Sequence, residues 1–81
     1  MERTSEPALR VLLTPREHDV LRLLSEGLSN QQIGVRLGIH QTTVKFHLRN
    51  AFDQIGVIDR TAAAVWAHRH LADVRIRQRC G

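Results

Sequence analysis

Ser29–Arg49, SNQQIGVRLGIHQTTVKFHLR, is the stretch whose reading decides the fold. Ser29 followed three residues later by Gln32 has the form of a capping box, so a helix starts there. Ile33 and Leu37 give that helix its apolar side. Leu37-Gly38-Ile39-His40 then breaks it, because Gly38 enters left-handed backbone without a steric penalty. A second helix runs from about Gln41 to Ile55. At about 100° per residue, Val44, Leu48, Ala51 and Ile55 fall in one narrow stripe and face a core. Thr42, Phe46, Arg49 and Asp53 gather on the opposite side, with Lys45 at its shoulder. Gly34 stands where the two helices cross. There a small residue permits close approach, at about 1 kcal/mol of lost helix propensity.

A core-facing helix that points a phenylalanine and two cations outward suits the major groove of DNA. Lys45 and Arg49 lie four apart on one face, in reach of guanine O6 and N7 or of phosphates. Phe46 between them fits against a thymine methyl. Two cations on a helix would by themselves be ordinary solvated charges. The capped helix, the glycine turn and the second helix with this face together favour nucleic acid.

The remaining chain bounds the reading. Eighty-one residues make one domain with a small core, and three aromatics leave that core to aliphatic side chains. No alternating β-branched run reads as a strand, so the expectation is all-α. The net charge is +4, carried by eleven arginines and one lysine against eight acids. Such a balance favours a polyanionic partner. Its distribution says more: no acid stands between Glu26 and Asp53, while Arg36, Lys45 and Arg49 are basic. No apolar run approaches the roughly 20 residues that span a bilayer, and no signal-peptide pattern opens the chain. Cys80 is the sole cysteine, so no internal disulfide forms. These features together predict a soluble, cytoplasmic protein without membrane contact.

Residues 1–12 read as an N-terminal extension or the remains of a linker, although Leu9, Val11 and Leu12 are more apolar than a free tail needs. The domain is taken as 13–74. Thr14-Pro15-Arg16-Glu17 starts a helix over about 15–26, with Thr14 as cap, Pro15 at its first position and Glu17 closing a capping box. Val20, Leu21, Leu24 and Leu28 recur near helical spacing, and Gly27 ends it. Two further helices fill 30–37 and 41–55. Asp59 caps a fourth over 59–72 or longer, since no helix breaker follows before Cys80. Ala64, Ala67, Leu71 and Val74 follow the 3-4-3 spacing of paired helices, the basis for expecting a dimer seam on this face. Residues 75–81 form a basic tail in which Arg75, Arg77 and Arg79 alternate.

At this point the chain resembles the LuxR/FixJ-type (GerE-like) helix-turn-helix of bacterial transcription regulators. The matching run is Leu13–Ala67, carried by LTPRE, GLSNQQI, TVKFH, and the later Gly56-Val57 followed by Arg60 and alanines. The resemblance implies a four-helix domain whose third helix enters the major groove and whose fourth mediates dimerisation on inverted repeats. By motif position, Lys45, Phe46 and Arg49 would read bases. Thr43, His47, Asn30, Gln31 and Asn50 would contact the DNA backbone, and Thr42 joins them from the helical-wheel argument. Glu17 and Arg60 match scaffold positions and are expected to pair as a salt bridge. A DNA-binding regulator of this kind is expected to be cytoplasmic and nucleoid-associated, and RNA polymerase is kept as a candidate further partner.

This chain departs from the family at several positions. His40 replaces a common serine, which predicts a weaker cap on the recognition helix. Gln54 replaces a common lysine. Phe46 is bulkier than the usual residue in its slot, and the glycine common after the last helix is missing. No phosphoacceptor or ligand-binding domain fits in 81 residues. The chain reads either as a stand-alone regulator or as the output half of a larger one.

Other classes fare worse. His18, His40, His47, His68 and His70 stand in no nucleophile–base–acid arrangement, which argues against an enzyme. His68 and His70 would point about 200° apart on a helix, so they could not share a metal ion. No cofactor or small-molecule ligand is expected. A sigma-factor region-four module shares similar RE and TVK positions, but GLSNQQI and GV-x-x-R favour the regulator family. A helix-turn-helix that acts mainly through protein contacts is the alternative from another class.

Overall fold

The computed structural model describes residues 11–77. Strand β1 is Leu12–Leu13. The helices are α1, Pro15–Ser25; α2, Asn30–Leu37; α3, Gln41–Ile55; and α4, Arg60–His70. A 3-10 turn, Leu71–Asp73, and strand β2, Arg75–Ile76, complete the described chain.

Each helix begins where its cap dictates. The Thr14 hydroxyl accepts from the Glu17 N–H at 3.1 Å, and the Glu17 carboxylate accepts from the Thr14 N–H at 3.0 Å. Ser29 and Gln32 repeat that reciprocal box on α2 at 3.2 and 2.8 Å. On α4 the Asp59 carboxylate accepts from the Ala62 N–H at 2.8 Å. His40 caps α3 with an unusual acceptor, its Nδ1, which takes the Thr42 N–H at 3.0 Å. The cap at this position is formed, with an imidazole nitrogen in place of a hydroxyl. Gly38 and Gly56, both at positive φ, end α2 and α3 in left-handed backbone.

The core is aliphatic: Leu13, Val20, Leu21, Leu23 and Leu24 meet Ile33, Val44, Leu48, Ala51, Ala63, Ala67 and Leu71. α1 is its central wall, packed against both α3 and α4, and α2 packs mainly on α3.

Three expectations are corrected here. The four-helix architecture is as expected, but the absence of any strand is not: Leu12 and Leu13 pair in parallel with Arg75 and Ile76, and the Arg77 N–H donates to the Leu13 carbonyl at 2.6 Å. Two-residue strands carry no alternation, so periodicity could not mark them. α4 stops at His70 rather than running on. Leu71 is buried and Val74 packs on the core, so tertiary burial and the strand pairing outweigh a helix-permissive local sequence. Consequently Val11, Leu71 and Val74 pack with the core, and the strand pair ties Arg75 and Ile76 to Leu12 and Leu13. Residues 1–10 and 78–81, which include Arg79 and Cys80, lie outside the described residues.

The third correction concerns Glu17 and Arg60. Glu17 is buried with its carboxylate on the Thr14 amide, whereas Arg60 donates to the Asn30 Oδ1 and the Leu28 carbonyl, each at 2.7 Å. Among the described residues no ion pair joins Glu17 to Arg60.

Candidate nucleic-acid interface

α2 and α3 form a helix-turn-helix whose crossing is set by Gly34. A Cβ built there would lie 2.6 Å from the Ile39 carbonyl oxygen and 3.4 Å from the Gln41 nitrogen. Only glycine fits without moving the turn, and Ile39 N–H donates back to the Gly34 carbonyl at 2.9 Å. α2 therefore locks directly onto the start of α3.

α3 buries Val44, Leu48 and Ala51. Those three core positions leave Thr42, Thr43, Lys45, Phe46 and Arg49 exposed, with His47 and Asn50 half-buried on the flank. The structure thus brings Lys45, Phe46 and Arg49 onto one open face. Phe46 is 60% exposed, and its ring meets His47 edge-on at 5.6 Å. From Thr42 to Arg49 the face spans about 10 Å at 1.5 Å per residue. That reach covers about three base pairs at 3.4 Å each.

Among the described residues the cations on this face meet no carboxylate. Among the described residues the ion pairs are Arg16–Asp19 at 3.8 Å and Arg22–Glu26 at 3.3 Å, neither of them on α3. Asn30, half-buried, and Gln31, exposed, sit at the N-terminus of α2 with no acid in its first turn. Lys45 and Arg49 meet no ion-pair partner among the described residues, and Asn30 bonds Arg60 through its Oδ1.

The expected dimer seam fares differently. Ala67 and Leu71 are 4% and 7% exposed and belong to this chain's own core, with Ala64 and Val74 packed against it. The 3-4-3 spacing records packing of α4 on α1, so Ala67 and Leu71 are not available to a second copy. The open side of α4 carries Thr61, Val65 and His68. His70 turns the other way and meets Trp66 at 5.1 Å. Arg60 keeps the scaffold contact the sequence implied but with Leu28 and Asn30 as partners, not Glu17. The missed signal was its position as the first residue of α4, where a cation opposes the helix dipole and needs another reason to be there.

A pair of capped helices joined by a glycine turn, with an open cationic second helix, defines a helix-turn-helix protein. Residues 11–67 match the family described as "GerE: Bacterial regulatory proteins, luxR family", and the chain belongs to it. It is 44% identical over 57 residues to the nitrate/nitrite response regulator protein NarL of Escherichia coli, covering 70% of this chain and 26% of that protein. It is 48% identical over 58 residues to the transcriptional regulatory protein LiaR of Bacillus subtilis, covering 72% and 28%. Among solved structures, the transcription factor GerE superposes with a TM-score of 0.62 at 33% identity, over 70% of this chain and 85% of that one. The chain spans about a quarter of the length of the curated relatives it matches. No described helix is long and apolar enough to cross a membrane.

Proposed function

We propose that this domain binds double-stranded DNA sequence-specifically as the DNA-reading part of a bacterial transcription regulator, without enzymatic activity and in the cytoplasm. The observation that carries the proposal is the exposed Lys45–Phe46–Arg49 face on a helix held rigidly by the Gly34 crossing. Lys45, Phe46 and Arg49 read base edges from α3. Asn30, Gln31, Thr42, Thr43, His47 and Asn50 hold the flanking backbone. The relatives' printed roles as response regulators and transcriptional regulators support the same reading.

A dimer on an inverted repeat is the assembly we infer, through the open side of α4 where Val65 stands half-exposed beside Ala64. Sedimentation at high protein concentration that shows monomer alone, with and without DNA, would remove the dimer. A second reading has one observation behind it: Val35, large and apolar, is 79% exposed on the outside of α2. That surface is where RNA polymerase or another regulator would rest.

The experiment for the main reading is fluorescence anisotropy on duplex DNA with wild type and with Lys45→Ala/Arg49→Ala. Loss of each bidentate base contact removes about 1–3 kcal/mol of discrimination on the preferred site. A double variant that binds every sequence as wild type does would end the assignment.

A further inference from the structure

The guanidinium of Arg60 occupies an unexpected place. It reaches from the first turn of α4 to the N-terminus of α2, where it donates to the Leu28 carbonyl and to Asn30 Oδ1, each at 2.7 Å. We propose that Arg60 is a DNA-phosphate contact, preorganised by Leu28 and Asn30; this rests on the DNA-binding reading above.

Three observations converge on it. Arg60 is exposed, and the two bonds occupy two of the five N–H donors of a guanidinium, which leaves three for a further acceptor. The bond to Asn30 consumes that side chain's carbonyl oxygen and leaves its NH2 to face an acceptor. A phosphate oxygen taken by the Asn30 NH2 would then lie within about 6 Å of the Arg60 charge, given hydrogen bonds of about 2.9 Å. At that distance the two act on the same phosphate with little screening. The described ion pairs also give Arg60 no partner. Among the described residues it takes part in no ion pair, and the carboxylate of its neighbour Asp59 is engaged in capping Ala62. A cation in the first turn of α4 opposes the helix dipole, whereas an anion bound nearby would offset both.

A structural clamp and a phosphate contact differ in what salt does. Each phosphate neutralised contributes about 0.9 to the slope of log K against log[salt]. The test measures that slope by anisotropy on a random-sequence 30-base-pair duplex between 50 and 200 mM salt. It uses wild type, Arg60→Gln and Arg60→Lys, each shown folded by circular dichroism. Arg60→Gln is expected to flatten the slope by about one contact per bound protomer, so its affinity ratio to wild type changes by about 3.5-fold across that salt range. Arg60→Lys, which keeps the charge but loses the paired geometry, is expected to retain a slope near wild type. A pure clamp would lower the stability of both variants and leave both slopes unaltered, which overturns the proposal. Wild type without salt-dependent binding would overturn this inference and the DNA reading together. A steep wild-type slope matched by Arg60→Gln would overturn this inference alone.

Discussion

Replacing Gly34 by alanine isolates the contact on which the reading geometry depends. In an open helix the change would stabilise, because alanine is favoured over glycine by about 1 kcal/mol. Here the new Cβ would sit 2.6 Å from the Ile39 carbonyl oxygen, a backbone atom. Close carbon–oxygen contacts begin at about 3.3 Å, so the turn must retreat by about 0.7 Å. Overpacking of this kind costs about 1–3 kcal/mol. The retreat also weakens the Ile39 N–H to Gly34 carbonyl bond at 2.9 Å, which is worth about 1 kcal/mol. Set against the propensity gain, the net loss is about 1–3 kcal/mol. For a domain of this size each kcal/mol lowers Tm by about 4–8 °C. Thermal unfolding followed by circular dichroism reads it directly. Val35→Ala, at the exposed neighbouring position, supplies the control: it improves helix propensity by a few tenths of a kcal/mol and removes no core contact. DNA affinity of Gly34→Ala, measured well below its Tm, should also fall, since the displaced turn carries the start of α3. A Gly34→Ala protein as stable as Val35→Ala, or more so, would refute the close-crossing argument.

Other substitutions test separate parts of the account. His40→Ala removes the Nδ1 acceptor for the Thr42 N–H and should destabilise by about 1 kcal/mol in urea unfolding, whereas His40→Ser should restore the cap; equal loss in both variants would deny the cap. Leu71→Ala should cost about 2–5 kcal/mol independently of protein concentration, as a core truncation does. A loss that appears only at concentrations where a dimer forms would instead return Leu71 to an interface. Phe46→Ala should leave stability nearly unchanged, because the ring is mostly exposed, while changing the preferred base beside it in anisotropy with single-base variants of the site. A large stability loss would mean that Phe46 is a packing residue.

The helix-turn-helix was legible because its signals are local. A serine with glutamine three residues on, a glycine after the last helical turn and a 3.6-residue stripe act within a few residues of one another, and the structure has all three. Gly34 was readable for a different reason: a poor helix former inside a helix requires a tertiary cause, and the Ile39 carbonyl is that cause. The C-terminal end was not readable. Nothing in His70-Leu71-Ala72-Asp73-Val74 forbids helix, and what ends it is the pairing of Leu12 and Leu13 with residues some sixty positions away. The same long range hid the Arg60 clamp on Leu28 and Asn30, thirty or more residues distant. The seam on α4 shows how one spacing serves two ends. Ala67 and Leu71 at helical intervals describe a packed face equally well whether the partner is another chain or α1. Of the reading face, sequence supplied which side of α3 points outward; that Lys45 and Arg49 meet no ion-pair partner among the described residues needed the three-dimensional arrangement.

The measurement that bears most directly on the central claim is selection of binding sites from random duplex DNA by the wild-type domain. The same selection with Lys45→Ala/Arg49→Ala supplies the comparison. The account predicts enrichment of a short element of about three specified base pairs per recognition helix, arranged as an inverted repeat, that disappears with the double variant. Wild-type protein that enriches no sequence at low salt, or a double variant that enriches the same one, would contradict it.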